Sequence, residues 1–356
     1  MNSLNKLRNI LSERGIDGVI IYDELNQRYL TRFHFSDGLL LITKLNAYLV
    51  TDFRYLEMAK KSVSSDFAVV APEDRLTFVK EVISEEGIKL LGFEGNVVSY
   101  AKFSRLRDCY SEVELCDIGD IVEQMREVKE EWEIELIRKS QEITDLAFSE
   151  LLSRIKPDMT EIQVAAELEY LMKRAGSEGT AFDTIAVSGD GSALPHGVPR
   201  NCKLKPGFLT LDFGAKYGGY CSDMTRTIVI GRADSEMKKL YNTVLSAQRA
   251  ALDCLCDGAD CGEADKAARD IIEAKAEYKG TFGHSLGHSV GLFIHESPRL
   301  SPKSFGNKLK AGQVVTVEPG IYLYGKYGCR IEDMVKIEEG GVLNFTKSPK
   351  DLIEIC

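Results

Sequence analysis

Asp212 and Asp223 stand eleven residues apart in FLTLDFGAKYGGYCSDMTRTIVI (208–230), where two β-rich runs flank the turn-forming sequence KYGG. That pattern predicts a hairpin. With the loop centred between Tyr217 and Gly218, Asp212 falls directly opposite Asp223. Like charges facing across strands repel, and strands this apolar desolvate at least one of them, so a positive charge is expected between the two. A bulge would break this register. Two solvated aspartates at a sheet edge are the other reading of this segment.

The second group is FGHSLGHSVGLFIHE (282–296), which carries His284, His288 and His295. His284 and His288 are four apart, as in a zinc-protease helix, but no glutamate stands between them. Gly283, Gly287 and Gly291 also oppose a long helix. A glycine-rich loop that brings imidazoles to one point fits better. No Lys-Ser/Thr pair follows the glycines, which disfavours a phosphate-cradling loop. Glu318 in VVTVEPGIYL (314–323) closes an apolar run before Pro319, where its strand must end. In GCRIEDMVKI (328–337), Arg330 and Glu332 are two apart and are expected on one face of a strand. Asp333 then points away, into a structural or solvated role.

Buried carboxylates are costly without cations. Asp212, Asp223, Glu318 and Glu332 carry four negative charges, which two divalent ions would neutralise. Carboxylates bridging ions ~3.5–4 Å apart are the geometry of dinuclear hydrolases. Oxygen-rich ligation with one imidazole favours manganese, with cobalt, iron or zinc as alternatives, over a structural zinc site, which would recruit cysteines.

The elements that must position these groups follow from periodicity. DGVIIYD (17–23), GLLLITKLNAYLVT (38–51), FAVVAP (67–72) and IKLLGFEG (88–95) read as strands, with helical stretches such as RYLEMAKKSV and LTFVKEVISEEG between them. Leu4, Leu7, Ile10 and Leu11 recur at helical spacing and make the N-terminus a surface helix rather than a signal peptide. Residues 1–125 are thus expected to form an α/β domain without catalytic residues. A long charged helix from Glu130 to Ile155, striped by Ile134, Ile137, Ile143, Leu146 and Ala147 and ended by Pro157, opens a second, α+β domain over 126–356. Within it, MTEIQVAAELEYLMKRAG (159–176) and CGEADKAARDIIEAKAEYKG (261–280) are similar amphipathic helices, an echo that would fit two facing halves.

Composition narrows the function classes. The 356 residues are 44% hydrophobic and 28% charged, as in a soluble globular protein. Nothing approaches the ~18 consecutive apolar residues of a membrane span. The net charge of −10 argues against a nucleic-acid partner. Nine cysteines form no CxxC pair and read as reduced thiols, so a cytoplasmic location is expected.

Taken together, LDFGAKYGGYCSDMTRT, GHSVGLFIHE, TVEPGIY and RIEDMV resemble the signature blocks of the pita-bread metallopeptidases. These include methionine aminopeptidase, aminopeptidase P and prolidase, with creatinase as a metal-free relative. The resemblance implies a pita-bread catalytic domain behind a creatinase-like N-terminal domain. It implies Asp212, Asp223, His288, Glu318 and Glu332 as metal ligands, with Asp223 and Glu332 shared between two ions. His196, in SALPHGVPR, and His295 match active-site histidines of the proline-specific branch, where they or the metal would stabilise an oxyanion. Glu318 would shuttle a proton to the leaving nitrogen. His284, Arg330 and Arg299 are implied at the substrate, Arg299 by reaching a dipeptide carboxylate. The implied activity is Xaa-Pro aminopeptidase of the short bacterial type on short proline-containing peptides, in a homodimer. Prolidase is the alternative within the branch. A broad-specificity aminopeptidase and a non-catalytic binding protein lie further off. His34, in TRFHFSDG, reads as structural, or as a group reaching a neighbouring subunit's site.

Overall fold

The computed structural model describes residues 2–356. The chain divides into two compact units, one up to Arg126 and one from Glu127. No helix among the described residues is long and apolar enough to cross a membrane, and none of the nine cysteines is in a disulfide.

The first unit comprises α1 (Ser3–Glu13), β1 (Gly18–Ile21), α2 (Glu24–Thr31), β2 (Leu39–Thr43), β3 (Ala47–Val50), α3 (Phe53–Ser62), β4 (Ala68–Val70), α4 (Arg75–Glu86), β5 (Leu90–Phe93), α5 (Tyr100–Cys109), β6 (Glu114–Asp117) and α6 (Ile121–Glu127). Its sheet has the order β4-β3-β2-β1-β5-β6, and only β2 runs antiparallel to its neighbours. Every residue of β1 and β2 is buried, as in a sheet covered on both faces. The apolar run 38–51 breaks into two strands because the Thr43 hydroxyl accepts from the amides of Leu45 and Asn46 and folds a turn. Aspartates cap α2, α3 and α4, so the strand-to-helix junctions are set locally. His34 is exposed in the loop between α2 and β2.

The second unit begins with α7 (Glu131–Arg154) and α8 (Glu161–Arg174). Strands β7 (Gly179–Thr180), β8 (Ile185–Ser188), β9 (Gly207–Phe213), β10 (Ala215–Tyr217), β11 (Tyr220–Cys221) and β12 (Met224–Ile230) follow. Next come α9 (Ser235–Asp253) and α10 (Cys261–Glu273), then β13 (Gly287–Ser289), β14 (Glu296–Leu300) and β15 (Val314–Val317). The chain closes with β16 (Gly320–Leu323), β17 (Tyr327–Arg330), β18 (Asp333–Glu338), β19 (Gly341–Asn344) and β20 (Glu354–Ile355). One repeating arrangement organises it. Phe148, Leu168 and their neighbours on α7 and α8 pack on Leu209, Leu211 and Ile228 of the β20-β12-β9-β8 sheet. Leu240, Val244 and Ala268 of α9 and α10 belong to a second core with Val315 and Val335 of the β14-β13-β15-β18-β19 sheet. The helical echo in the sequence thus corresponds to two helix pairs, one backing a sheet that is antiparallel except where β20 joins β12, the other a fully antiparallel sheet. Along α7, Ile134, Ile137, Ile143 and Ala147 are buried, but Leu146 is 57% exposed and lies off the stripe.

The hairpin register differs from the one expected. Tyr217 pairs with Tyr220 around a two-residue loop, Gly218–Gly219, whose φ angles of 58° and 85° suit a type I′ turn. The turn centre lies one residue further along than the sequence suggested, so Asp212 faces Thr225 rather than Asp223. A shift of two positions in the partner strand leaves each residue on its original face. Asp223 therefore stays on the Asp212 side, diagonal to it.

Between β9 and β10 the strand passes Gly214, where an added Cβ would lie 1.8 Å from the Ser222 carbonyl oxygen and 3.1 Å from Phe182. Only glycine lets the two strands approach this closely beside Asp223. Gly214→Ala is expected to destabilise the protein by roughly 2–3 kcal/mol. Gly340→Ala meets nothing within 4 Å and is expected to change stability by no more than ~0.5 kcal/mol. Urea unfolding of the two variants checks this, and equal midpoints would contradict the close-approach account.

Candidate metal centre

Each acidic group sits at the end of a strand, where the backbone is fixed on one side only. Asp212 is near the end of β9, Asp223 one residue before β12, Glu318 one residue after β15 and Glu332 one residue before β18. His288 is the middle residue of β13. Glu318 is held where Pro319 ends β15, and its amide donates to the Leu286 carbonyl at 2.8 Å. Glu332 donates its amide to the Thr225 carbonyl at 3.1 Å, which joins the two sheets at the site. Arg330 and Glu332 are not on one strand, as the sequence suggested, because β17 ends at Arg330 and β18 starts at Asp333. Both nevertheless reach one hydroxyl.

That hydroxyl belongs to Thr225. It donates to Glu332 Oε2 at 2.7 Å and accepts from Arg330 Nε at 2.9 Å. The buried Arg330 guanidinium also contacts Asp212 Oδ2 at 2.6 Å, Tyr322 Oη at 2.7 Å and the Pro195 carbonyl at 3.3 Å. Its role is to hold the acids and the His196 loop in place. His284 donates Nδ1–H to the Ser285 carbonyl, leaving Nε2 to accept from the Tyr322 hydroxyl at 2.9 Å. Burial lowers its pKa to about 4. Both ring nitrogens are thus engaged, and His284 reaches the acids through Tyr322. Asp333 points away and is buried against Arg226 at 2.8 Å and Lys350 at 2.6 Å. Its structural role matches the expectation.

Asp223, His288 and Glu332 are buried, with one ligand atom from each lying within 4.8 Å of the others. His288 Nε2 lies 3.5 Å from Asp223 Oδ2 and 3.5 Å from Glu318 Oε1. Its Nδ1–H donates to the Ser289 carbonyl at 3.1 Å, so a lone pair on Nε2 faces the carboxylates. Burial, with His295 beside it, lowers the His288 pKa to about 3, so the ring is neutral and its Nε2 brings no proton to the acids. Asp212 Oδ1 and Glu332 Oε1 are buried without a hydrogen-bond partner. Burial first, then the charges of the other acids, holds Asp223 and Glu332 well above the carboxylate range. Burial raises Glu318 to about 8, partly offset by Arg330. Orphaned oxygens, a facing imidazole lone pair and mutually repelling acids are the donor set of a divalent cation.

The remaining expected residues form the rim. His295 stacks edge-on against His288 with ring centroids 4.5 Å apart, and both it and His196 are exposed. Arg299 on β14 is the cross-strand partner of His288. Thr225, Tyr322 and Arg226 were not anticipated. Strand alternation from Asp223 could have pointed to Thr225, whereas nothing in the sequence marks Tyr322.

A site of this kind links stability to pH. Acids whose pKa is raised on folding bind more protons folded than unfolded, so stability falls as pH rises from the unfolded value near 4.5 through the folded value of about 8. Chelated protein is expected to lose ~5 °C or more of melting temperature between pH 5 and pH 8. Added manganese should restore more at pH 8 than at pH 5. Calorimetry across that range checks the sign, and a cation-induced increment that shrinks with pH would contradict it.

Comparison with known proteins agrees with this geometry. The model of metallopeptidase family M24 matches residues 135–339, and that of the creatinase/prolidase N-terminal domain matches residues 4–128. The chain is 38% identical over 352 residues to the Xaa-Pro dipeptidase of Pyrococcus horikoshii, covering 98% of each. It superposes with a TM-score of 0.95 on an Xaa-Pro dipeptidase from Bacillus anthracis, at 40% identity and 99% of both chains. It superposes at 0.91 on the X-Pro aminopeptidase of Thermotoga maritima, at 38% identity and 100% of both chains. Membership of such a family makes divalent metal part of the site. The chain belongs to metallopeptidase family M24, with a creatinase/prolidase N-terminal domain preceding its catalytic unit.

Proposed function

We propose that this protein hydrolyses the peptide bond preceding proline and acts chiefly as a dipeptidase. The observation that carries the peptidase reading is the gathering of buried Asp223 and Glu332 and part-buried Glu318 at the Nε2 of His288. Asp212 is joined to them through Arg330, and one oxygen each of Asp212 and Glu332 lacks any partner. Asp212, Asp223, His288, Glu318 and Glu332 are the proposed ligands of two divalent ions, manganese first, with Asp223 and Glu332 shared. Bound there, divalent cations supply Lewis acidity that lowers the pKa of water toward neutrality and polarises the scissile carbonyl. Glu318 is proposed to carry the proton to the proline nitrogen. His196 and His295, exposed beside the acids, are proposed to donate to the developing oxyanion. Residues 1–125 and 126–356 remain the proposed domains, and a homodimer the proposed assembly.

Preference for dipeptides over longer peptides rests on Arg299. It is the cross-strand partner of His288 and is exposed, so its guanidinium is available to a carboxylate at the proline end of a short substrate. Charge points the same way. Arg330 already offsets one of the four acids, so two divalent ions would leave a net positive site that attracts a peptide carboxylate. The relatives named dipeptidases agree with this preference, and the Thermotoga maritima aminopeptidase marks the alternative.

The roles separate experimentally. His288→Ala is expected to lose bound metal. His196→Ala and His295→Ala should keep it and lose turnover by ~10²–10³-fold, as for a lost oxyanion donor. Metal analysis beside kcat decides between these outcomes. Metal retained in His288→Ala and lost from His295→Ala would reverse the two assignments.

Substrate choice is tested by product analysis. Ala-Pro should be cleaved with a higher kcat/KM than Ala-Pro-Ala, and Arg299→Ala should raise KM for the dipeptide by about tenfold. Ala-Ala should be at least ~10²-fold worse than Ala-Pro, because its amide N–H would enter a wall shaped for a ring without an acceptor. Equal rates on Ala-Pro and Ala-Pro-Ala would move the assignment to aminopeptidase. Equal rates on Ala-Pro and Ala-Ala would remove the proline requirement.

A further inference from the structure

The first unit contains a polar cavity that the peptidase chemistry does not use. Strands β1, β3 and β4 are parallel, and the antiparallel β2 starts at their carboxyl edge. From β1 the chain builds β2, β3 and β4 on one side, then places β5 and β6 on the other. Such a reversal of strand order leaves a crevice outside the carboxyl ends of the strands. A cavity of about 550 Å³ lies there, lined among others by Tyr22, Asp52, Asp74, Arg75, Lys102 and Arg105. That volume is in the range of small-molecule sites.

Three of the four acids of the cavity are already committed, Asp37 among them through Arg54, whereas the exposed Glu73 forms no ion pair or hydrogen bond among the described residues. Asp52 caps α3 and pairs with Arg54, which lowers its pKa to about 2, and Arg75 reaches it only at 3.4 Å. Asp74 caps α4 through the amides of Leu76 and Thr77. Two cations have no such commitment. Lys102 and Arg105 lie three residues apart on α5 and share a face. Arg105 forms no ion pair or side-chain hydrogen bond among the described residues. The Lys102 ammonium lies 3.1 Å from the centroid of the Tyr22 ring, with no carboxylate in ion-pair range. Although the residue is exposed, desolvation lowers its pKa, and a cation–π contact offsets that cost only in part. The amino ends of α3 and α4 meet the same cavity and add partial positive charge.

We infer that this crevice binds a small molecule through an oxyanion, a carboxylate or a phosphate, seated between Lys102, Arg105 and Arg75. The binding would be additional to the peptidase site, and neither Lys102 nor Arg105 belongs to the catalytic machinery. Isothermal titration of the metal-loaded full-length protein with inorganic phosphate and, separately, with acetate at constant ionic strength tests it. The Lys102→Met/Arg105→Gln double variant is titrated in parallel. The expected result is saturable binding of one anion that weakens about tenfold or more in the double variant. Melting temperature and Ala-Pro turnover should stay within error of the parent. The preferred anion identifies the source as phosphate esters or carboxylic acids. An anion event at the metal centre would persist in the variant, so the decisive signal is the loss of one event. Isotherms that are identical for parent and variant, or that show no saturation of either anion up to about 50 mM, would overturn the assignment.

Discussion

Gathering four carboxylates, two of them fully buried, at a site with one neutral imidazole is the constraint to which the rest of the catalytic unit answers. Left alone, the acids repel one another and lose hydration, and the structure records both effects. The proton affinities of Asp223, Glu318 and Glu332 are raised, and one oxygen each of Asp212 and Glu332 has no partner. One internal cation, Arg330, neutralises part of the charge and fixes the geometry through Asp212 and Thr225. The remaining charge is the driving force for holding divalent metal. A cluster that is unfavourable for the empty protein is thereby a strong binding site.

The architecture makes such an arrangement tolerable. Two sheets, each backed by a helix pair, bring strand ends to a common point, and the acids sit just off those ends. Behind them lies a second layer of paired charge, in which Asp333 meets Arg226 and Lys350. Arg226 and Asp333 form a fully buried pair, and Arg226 also donates to the Thr225 carbonyl at 3.0 Å. Along β12 the alternation places Thr225 toward the metal site and Arg226 toward this pair, while Glu332 and Asp333 divide in the same way. Each strand thus presents one residue to the chemistry and the next to the scaffold. Glycine is needed where backbones must nearly touch: Gly214 beside Ser222, and Gly287, whose added Cβ would lie 2.0 Å from the Thr316 carbonyl oxygen.

The two units solve different problems. The first is a mixed sheet under helices, with aspartate capping the helices that follow β1, β3 and β4, and it contains no counterpart of the acidic cluster among the described residues. Three of its cations, Arg75, Lys102 and Arg105, meet four acids at the carboxyl edge of the sheet, where this class of fold places ligands. The second concentrates negative charge in its interior. The net charge of −10 divides into −4 for residues 1–126 and −6 for residues 127–356, so the units differ in where charge is placed rather than in its sign.

Residue type and near-neighbour spacing single out the acids and the imidazole that the structure gathers, and most of the elements that hold them. Buried acids on apolar strands, a glycine-rich histidine loop and a strand-ending proline such as Pro319 are local signals, because they depend on residue type and near-neighbour spacing. For the same reason the long helix, its capped partners and the strands of the first unit were legible. The face shared by Asp212 and Asp223 was also legible, since a two-residue register error preserves it. Tertiary structure alone decided the true register, because both glycines of the Gly218–Gly219 turn adopt positive φ and shift its centre. It alone decided that Arg330 and Glu332 meet through Thr225 from separate strands, and that Tyr322 joins His284 to Arg330. Those contacts join residues 38 to 107 positions apart in the chain, or cross a strand break. Local periodicity has no term for such distances; only the packing of one sheet against the other supplies it.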